Sequence, residues 1–474
     1  MLHMRKNSRH PRWIAIAIGV ALAPHAIAQE ENVIDFDSFK ALMNNHPKAR
    51  YAELAEEKGE RELTRAKGAF DPKIGGNYQY KFFNGKEYYN QTSVGIDVPL
   101  RAPITIKTSY ENTDGAYLNP EEITPNAGLI SMGVMVPLGQ GLVTDRRRTD
   151  LRQAQAYVEF SKLERQRIRQ ELLRDAYSQY WSWWMTQQQF DLYNEWRTIA
   201  DDRLNITRQR FQHGDIASID TLETFIQLQQ RAQKLTAAQS KVVKEKLQLA
   251  TYMWANNPAG DFTLLPENKA VPQRDIDFDL SLTAPAMLEV RALSIEERNP
   301  ELLRYASIFN QLRAEERWKK ESLKPVVNVQ YNAIADPTTG SSSVITSNNY
   351  KWGTQLAWPI FMRKAKGELQ LTRIKIEETQ LEAELKIASL RNKALANIQQ
   401  ITLLQSQLSN TRSNIVNMRL LLEAEREKFI SGESSVFLIN TREQQLFDLR
   451  LQEIEIALAL KLTEIELKYL LGEI

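Results

Sequence analysis

Apolar and polar residues alternate in short stretches that occur in both halves of the chain. In residues 74–82, Ile, Tyr and Phe alternate with Gly, Asn, Gln and Lys. Successive side chains of an extended strand point to opposite faces, so this alternation predicts β-strands with two unlike faces. The pattern recurs at residues 94–98, 104–110, 130–136, 327–333 and 352–358. We therefore expect four strands within residues 74–137 and two within residues 326–359.

The two faces of these predicted strands differ in character. One carries Asn, Gln, Lys and Ser, and the other carries Val, Ile, Tyr and Trp. Such a division fits a barrel with a wet lumen and a lipid-facing exterior. A half-buried sheet in a soluble protein shows the same alternation, so the strands alone leave both interpretations open.

Two very long helices are predicted between and after the strands. Residues about 35–70 have a helical pattern. The helical patterns over residues about 146–205 and 363–428 are much longer, and Gly367 is the one glycine or proline within these two ranges. At about 1.5 Å per residue, each would reach roughly 90–100 Å. Helices of this length indicate a coiled coil or a helical tube. A glycine-containing turn follows each, and a second helix is expected to return over residues 218–254 and 436–471.

The chain contains an internal repeat, which explains why these features occur twice. Equivalent positions in the two halves hold the same residues: Pro47 and Pro300, Pro72 and Pro325, Tyr78 and Tyr331, Phe211 and Phe429, Gly214 and Gly432. A repeat of this size fixes the architecture. We predict a first repeat over residues 29–256, an irregular proline-containing connector over 257–285, and a second repeat over 286–474.

Residues 1–28 have the features of a signal peptide. Four basic residues precede an apolar stretch from Trp13 to about Ala23, and Ala26-Ile27-Ala28 forms a small-x-small cleavage site. Removing this segment takes away four basic and no acidic residues, so the net charge changes from +2 to −2. A mature chain of that charge gives no electrostatic support for binding nucleic acid.

The composition and motifs argue against enzymatic chemistry. The chain has no cysteine, which excludes disulfides, thiol catalysis and thiolate metal sites. After residues 1–28 the remaining histidines are His46 and His213, and a histidine metal cluster is therefore not expected. The phosphate-binding, dinucleotide-binding, zinc-protease and serine-hydrolase motifs are missing. We predict no catalytic, cofactor or metal site.

In this combination of features the chain resembles the TolC family of outer-membrane efflux and export channels. The resemblance rests on the signal peptide, the duplicated halves and the turns Phe211-x-x-Gly214 and Phe429-x-x-Gly432. It also rests on a proline that ends a strand before each long helix, in Val136-Pro137-Leu138 and Trp358-Pro359-Ile360.

The resemblance implies an α+β membrane protein in the outer membrane of a Gram-negative bacterium. In the family, three identical chains join their strands in one shared β-barrel within the lipid, and antiparallel helical hairpins form a coiled-coil tube across the periplasm. The turns at Gly214 and Gly432 are then expected at the periplasmic tip, where the tube closes and an adaptor protein docks. An inner-membrane transporter would drive the cargo through this passive conduit, for drug efflux or for type I protein secretion.

The predicted strand number departs from the family pattern. Family members typically contribute four strands per chain to a twelve-stranded barrel, whereas this sequence predicts six. The extra first-half hairpin, about residues 91–112, either joins the barrel and makes eighteen strands or packs outside it.

The predicted gate departs as well. Where the family has constricting aspartates after the second-half turn, this chain has Leu438 and Thr441. Phe429 and Ser434 stand at the positions of a tyrosine and an arginine that bond to the first-half turn, while Asp220 matches a family aspartate. An alternative to an acidic ring is a hydrophobic constriction of Phe437 and Leu438 that gates by dewetting.

Two other protein classes share some of these sequence features. A periplasmic or secreted structural coiled-coil protein with a soluble sheet fits the same helices and strands. A periplasmic adaptor also has a helical hairpin, but it does not usually need two matching halves of strands and hairpin.

Overall fold

The computed structural model describes residues 33–254, 271–272, 285–339 and 349–474. Its strands are β1 Val33–Ile34, β2 Lys73–Phe83, β3 Lys86–Pro99, β4 Thr105–Asp114, β5 Leu129–Pro137, β6 Val271–Pro272, β7 Val326–Ala335 and β8 Tyr350–Ala357. Its helices are α1 Phe36–Leu42, α2 Pro47–Lys67, α3 Arg146–Gln212, α4 Ser218–Ala250, α5 Pro285–Leu293, α6 Pro300–Glu321, α7 Arg363–Ile430 and α8 Val436–Leu470. The predicted signal peptide lies outside the described residues.

Six strands form one antiparallel sheet in the order β2-β3-β4-β5-β7-β8. Four come from the first half of the chain and two from the second, and the β5–β7 pair joins the halves. The extra hairpin, β3–β4, lies inside this sheet between β2 and β5. The predicted strands extended slightly too far at two ends. Ile104 belongs to the turn, where its carbonyl accepts from the Leu100 backbone N–H at 3.0 Å, and Trp358 lies just beyond β8.

The apolar face of the sheet is open to its surroundings. Register places Tyr331 beside Val134 and Trp352 on this face, and Ile74 and Leu356 are 76% and 74% exposed. A half-buried soluble sheet would cover these side chains with the rest of the protein, because exposed apolar area is unfavourable in water. Within the described residues, the sheet therefore has the surface of a lipid-facing wall.

The polar face of the sheet borders a hollow of about 1030 Å³. All six strands contribute polar or charged side chains to it: Asn77, Ser93, Ser109, Ser131, Asn332 and Lys351. The Ser109 and Ser131 hydroxyls lie 2.7 Å apart across β4 and β5 and share a hydrogen bond. The two predicted faces are thus separated in space as the alternation requires.

The long helices extend away from this sheet. α3 has 67 residues and α7 has 68, which corresponds to roughly 100 Å each. α3 packs on α4, α7 packs on α8, and α3 also packs on α8. Asp145 caps the start of α3 by accepting from the Arg148 backbone N–H at 2.8 Å. Both helices end a few residues later than predicted, directly before the glycine turns.

The middle of the bundle contains an aromatic core. Trp183 is 1% exposed, and Trp181 and Trp184 are buried beside it. The neighbouring Tyr180 hydroxyl donates to the Ile34 carbonyl at 3.0 Å. This core anchors the beginning of the described chain to the centre of α3, far from both the sheet and the glycine turns.

The residues with a helical pattern, about 35–70, form two separate helices, α1 and α2. Pro47 is the first residue of α2, and the His46 imidazole Nδ1 accepts from the Lys48 backbone N–H at 3.0 Å. The second half repeats this start: Pro300 opens α6, and Asn299 accepts from the Glu301 N–H at 2.9 Å. Proline fits the first helical position, since its missing N–H would have no intrahelical partner there.

The structure describes only a short part of the predicted connector over residues 257–285. Val271 and Pro272 form β6, which pairs in parallel with Val33 and Ile34 of β1. Extended backbone next to proline is suited to such an edge pairing. The rest of residues 257–284 lies outside the described ranges. No helix in the described ranges is both long enough and apolar enough to cross a membrane.

Candidate functional site

The two glycine turns have the same backbone geometry. Gly214 and Gly432 both have φ of +82°, a left-handed conformation that residues with a Cβ adopt at a cost. In the first turn, the Gly214 N–H donates to Phe211 O at 3.0 Å and the Asp215 N–H donates to Arg210 O at 3.0 Å. The second turn has the equivalent pair, at 3.2 Å and 2.8 Å. This double hydrogen bond is the Schellman helix end, so both hairpins are closed in the same way.

A cation–π contact joins the two turns. The Arg210 guanidinium lies 5.2 Å from the centre of the Phe429 ring, within the range of such contacts. Phe211 on the first turn is exposed. Ser434 does not reach the first-half turn through its hydroxyl, which donates to Glu425 of its own hairpin at 2.5 Å. The two hairpin ends are therefore linked through the Phe429 ring.

The other predicted site residues lie in the first turns of the return helices. Phe437 is 65% exposed and Leu438 is 40% exposed. The Thr441 hydroxyl is turned inward and donates to the Phe437 carbonyl at 2.9 Å. Asp220 is half-buried in the first turn of α4. Of these predicted residues, the exposed apolar Phe437 and Leu438 belong to α8, while the acidic Asp220 belongs to α4.

A buried cluster of charged residues lies about three turns behind the tips. Glu443 on α8 is only 5% exposed. Its carboxylate contacts the guanidinium of Arg203 on α3 and lies 3.5 Å from that of Arg231 on α4 and 3.2 Å from that of Arg426 on α7. We call these four residues the Glu443 cluster. It connects all four long helices through one carboxylate.

Arg231 is the most buried cation of the cluster. Its guanidinium lies 4.2 Å from the centre of the Trp196 ring and donates to the Trp196 carbonyl at 3.0 Å. Burial lowers the pKa of Arg231 to about 10, so this side chain stays charged at neutral pH. Trp196 in turn stacks on Phe447 with ring centres 3.9 Å apart. An aromatic wall therefore supports the charged cluster.

A cleft of about 330 Å³ lies between α4 and α8 beside this cluster. Phe437 and Thr441 line it together with Arg231 and Trp196. Two of the residues predicted from the sequence are thus brought next to the Glu443 cluster. Phe211 and Gly214, by contrast, lie in the turn that ends the first hairpin.

The Glu443 cluster was not predicted from the sequence, although two features of the sequence indicate it. Glu443 lies four residues after Ile439 and four before Phe447, which are both buried. Arg231 lies seven residues from both Thr224 and Ala238, which are also buried. A charged residue at the apolar spacing of a helix seam identifies a buried ionic contact.

Comparison with known proteins identifies the chain. The family described as Outer membrane efflux protein matches residues 109–253 and 294–473. The chain belongs to this family. The two matched segments also confirm the internal duplication and the resemblance to TolC-like channels. A comparison with curated protein sequences found no match.

Solved structures of membrane proteins, two of them outer-membrane channels, have a similar fold. A membrane protein from Pseudomonas aeruginosa is similar with a TM-score of 0.66 and 14% identity, over 98% of this chain and 96% of the other. The CmeC outer membrane channel of Campylobacter jejuni gives 0.65 and 10%, over 98% and 94%. The open state of the MtrE channel of Neisseria gonorrhoeae gives 0.61 and 12%, over 92% and 88%.

Family membership gives the protein's location and general role. Proteins of the outer membrane efflux protein family are passive channels, not enzymes. They lie in the outer membrane of Gram-negative bacteria and extend into the periplasm. Among the described residues, no group of three or more His, Cys, Asp or Glu is arranged to hold a metal ion.

Proposed function

We propose that this chain is the subunit of a homotrimeric outer-membrane channel in a tripartite efflux pump. The observation that carries the proposal is the combination of a sheet with an exposed apolar face and two helical hairpins with matching ends. Each long helix starts next to the sheet and ends in a Schellman turn roughly 100 Å further along. That length suits a conduit that crosses both the outer membrane and the periplasm.

The hairpin ends are the proposed contact surface for a periplasmic adaptor. Several large apolar side chains are exposed there: Phe211, Ile219, Leu222, Ile430 and Phe437. A cluster of exposed apolar groups rimmed by charges favours contact with another protein. An adaptor held at this end would connect the channel to an inner-membrane transporter, which supplies the energy that a passive tube lacks.

Two measurements test this function: the oligomeric state of the extracted protein and its role in transport. Detergent-extracted protein is expected to have about three times the mass of the mature chain by multi-angle light scattering, and unheated samples should migrate as the trimer on gels. A carbonate-soluble monomer or dimer would instead support the structural coiled-coil protein.

Deletion of the gene should then raise cellular accumulation of small fluorescent pump substrates, and the intact gene should restore export. A strain that keeps normal dye efflux but fails to release a secreted protein would assign the channel to type I secretion.

We further propose that Phe437 and Leu438 narrow the channel near its periplasmic end. Both are exposed on the first turns of α8, and in a trimer each would occur three times around the axis. A ring of apolar side chains resists the entry of water and ions. Thr441 and Asp220 lie beside this level on α8 and α4.

The matched variants Leu438→Asp and Ile430→Asp test the constriction in planar bilayers. Leu438→Asp is expected to raise cation conductance, because three carboxylates would hydrate the narrow segment and attract cations. Ile430, which is 85% exposed at the end of α7, provides the same charge change at the outer tip and should leave conductance near the wild-type value. Unchanged conductance in Leu438→Asp would remove Leu438 from the pore lining.

A further inference from the structure

Both edges of the six-stranded sheet are open. Within the described part of the chain, β2 pairs with β3 and β8 pairs with β7. Every residue of both edge strands is exposed. An edge strand presents a row of unpaired N–H and C=O groups, and neither β2 nor β8 contains a proline to block pairing.

A lipid-facing sheet cannot keep such edges. The outward face of this sheet is apolar, with Ile74, Trp352 and Leu356 all strongly exposed. Unpaired backbone groups in hydrocarbon cost several kcal/mol each, so strands span membranes only as closed barrels. Each open edge of this sheet therefore needs a further strand as its partner.

The strand directions allow the same chain to supply both partners. All five neighbouring pairs in the sheet are antiparallel, so six strands in sequence leave β2 and β8 running in opposite directions. β8 of one copy can then lie antiparallel to β2 of the next. In this arrangement Tyr78 on β2 and Trp352 on β8 both lie on the outward, apolar face of the sheet.

The β3–β4 hairpin has the two faces that a barrel wall needs. Val94 and Ile96 lie on the apolar face and are each 42% exposed. Ser93, Lys107 and Ser109 lie on the opposite face and line the same hollow as the other strands. If this hairpin lay outside the barrel, its apolar face would meet water or its polar face would meet lipid. Within the barrel wall, the apolar face contacts lipid and the polar face contacts the aqueous lumen.

We propose that β2 of one copy pairs with β8 of the next, so that three copies close an eighteen-stranded barrel. This inference rests on the proposed trimeric channel and specifies how its subunits join. Barrel diameter grows roughly in proportion to strand number. The eighteen-stranded barrel is therefore about 1.5 times as wide as a twelve-stranded barrel, in which each chain contributes four strands. Barrels of sixteen to eighteen strands enclose an open aqueous channel.

Disulfide trapping tests the subunit junction directly, because the chain has no cysteine of its own. Tyr78→Cys on β2 is combined with one cysteine at a time on the outward positions of β8: Tyr350, Trp352, Thr354 and Leu356. Adjacent strands hold Cα atoms about 4.5–5.5 Å apart, which suits a disulfide. One or two neighbouring pairs in this scan should give covalently linked trimers on non-reducing gels of outer membranes, and reduction should reverse the linkage.

The matched control is Thr108→Cys on β4, combined with the same β8 scan. Thr108 also lies on the outward face, but β4 is enclosed by β3 and β5. It should give no cross-link if the barrel has eighteen strands. Cross-links from Thr108→Cys, or no cross-link at any Tyr78→Cys pair, would overturn the proposal. Because β2 would meet β8 even if the β3–β4 hairpin packed outside the wall, Thr108→Cys is also combined with Met132→Cys, its register partner on β5. A disulfide within each chain should form from this pair, and its absence would overturn the proposal in favour of a barrel without β3 and β4. Tyr80→Cys provides a second starting position on β2 in case Tyr78→Cys fails to reach the membrane.

Light scattering on the same preparations separates this proposal from the proposed function. Trimers that cross-link through β4 would refute the eighteen-stranded barrel and leave the channel assignment intact. Protein that is monomeric in mild detergent, with every cysteine pair unlinked, would refute both.

Discussion

Replacing Glu443 by Gln should loosen the contact between the two helical hairpins near their tips. The substitution keeps the size of the side chain and removes the one carboxylate shared by Arg203, Arg231 and Arg426. Three guanidinium groups would then lie close together without this shared carboxylate, although Arg426 would keep Glu423 as a partner. Arg231 is charged beside Glu443, where burial lowers its pKa to about 10, and the substitution removes the carboxylate that favours this charge.

The expected cost follows from the burial of the cluster. Removing one partner of a buried ion pair usually costs about 3–5 kcal/mol, because the remaining charge is left uncompensated. Arg203 and Arg426 keep partial access to solvent, so we expect a value near the lower limit. A cost of about 3 kcal/mol corresponds to a change on the order of 100-fold in a local opening equilibrium.

Hydrogen exchange measures this opening without unfolding the whole channel. Backbone amides in the tip segments of α3 and α8 should lose on the order of 100-fold protection in Glu443→Gln. The control is Glu423→Gln, which removes an exposed carboxylate 3.2 Å from the same Arg426. Exposed ion pairs contribute about 0–1 kcal/mol, so that variant should exchange almost like the wild type. If protection in Glu443→Gln falls by less than about threefold, the cluster does not hold the hairpins together.

Three further predictions concern single backbone or capping positions. Burial lowers the pKa of His46 from its ordinary value of 6.5, so the stability of this helix cap is present above pH 6.5 and is lost as the pH falls. Protection against hydrogen exchange in the first turn of α2, taken relative to the intrinsic exchange rate at each pH, should therefore fall toward pH 5, and His46→Asn, which keeps a cap, should abolish that dependence. Gly432→Ala should lower the free energy of unfolding by about 1–2 kcal/mol in chemical denaturation, because φ of Gly432 is +82°. Gly367→Ala, within α7, should instead raise it by up to about 1 kcal/mol. If both substitutions change the free energy of unfolding in the same direction, the assigned backbone conformations are contradicted. Gly133→Ala should reduce the yield of heat-modifiable folded protein, since the new Cβ would lie 2.0 Å from a backbone oxygen of β7, while Gly353→Ala, with nothing within 4 Å, should fold normally.

The elements of this fold could be predicted because they depend on local periodicity. Alternation at residues 74–82 follows from the pleat of a strand, and it gave β2 to within one residue at each end. The uninterrupted helical pattern gave α3 and α7. The helical pattern over residues 35–70 did not locate the start of α2 at Pro47, since a proline is compatible both with a continuing loop and with the first turn of a new helix.

The proposed gate region was only partly visible in the sequence. The turns at Gly214 and Gly432 are local features, because a glycine at this position and its neighbouring residues are enough to predict the end of a helix. The contact of Arg210 with Phe429 joins residues more than two hundred positions apart. No local pattern indicates which of many arginines will reach a given ring.

The sequence by itself determined the strands, the two hairpins, the repeat and the division of the sheet into a polar and an apolar face. Each of these follows from the spacing of side chains along one strand or one helix. Only the tertiary structure decided that β3 and β4 lie within the sheet, that β5 pairs with β7, and that Glu443 meets three arginines. Strand pairing and buried charge contacts depend on which surfaces meet in space, and periodicity along the chain specifies a surface without specifying its neighbour.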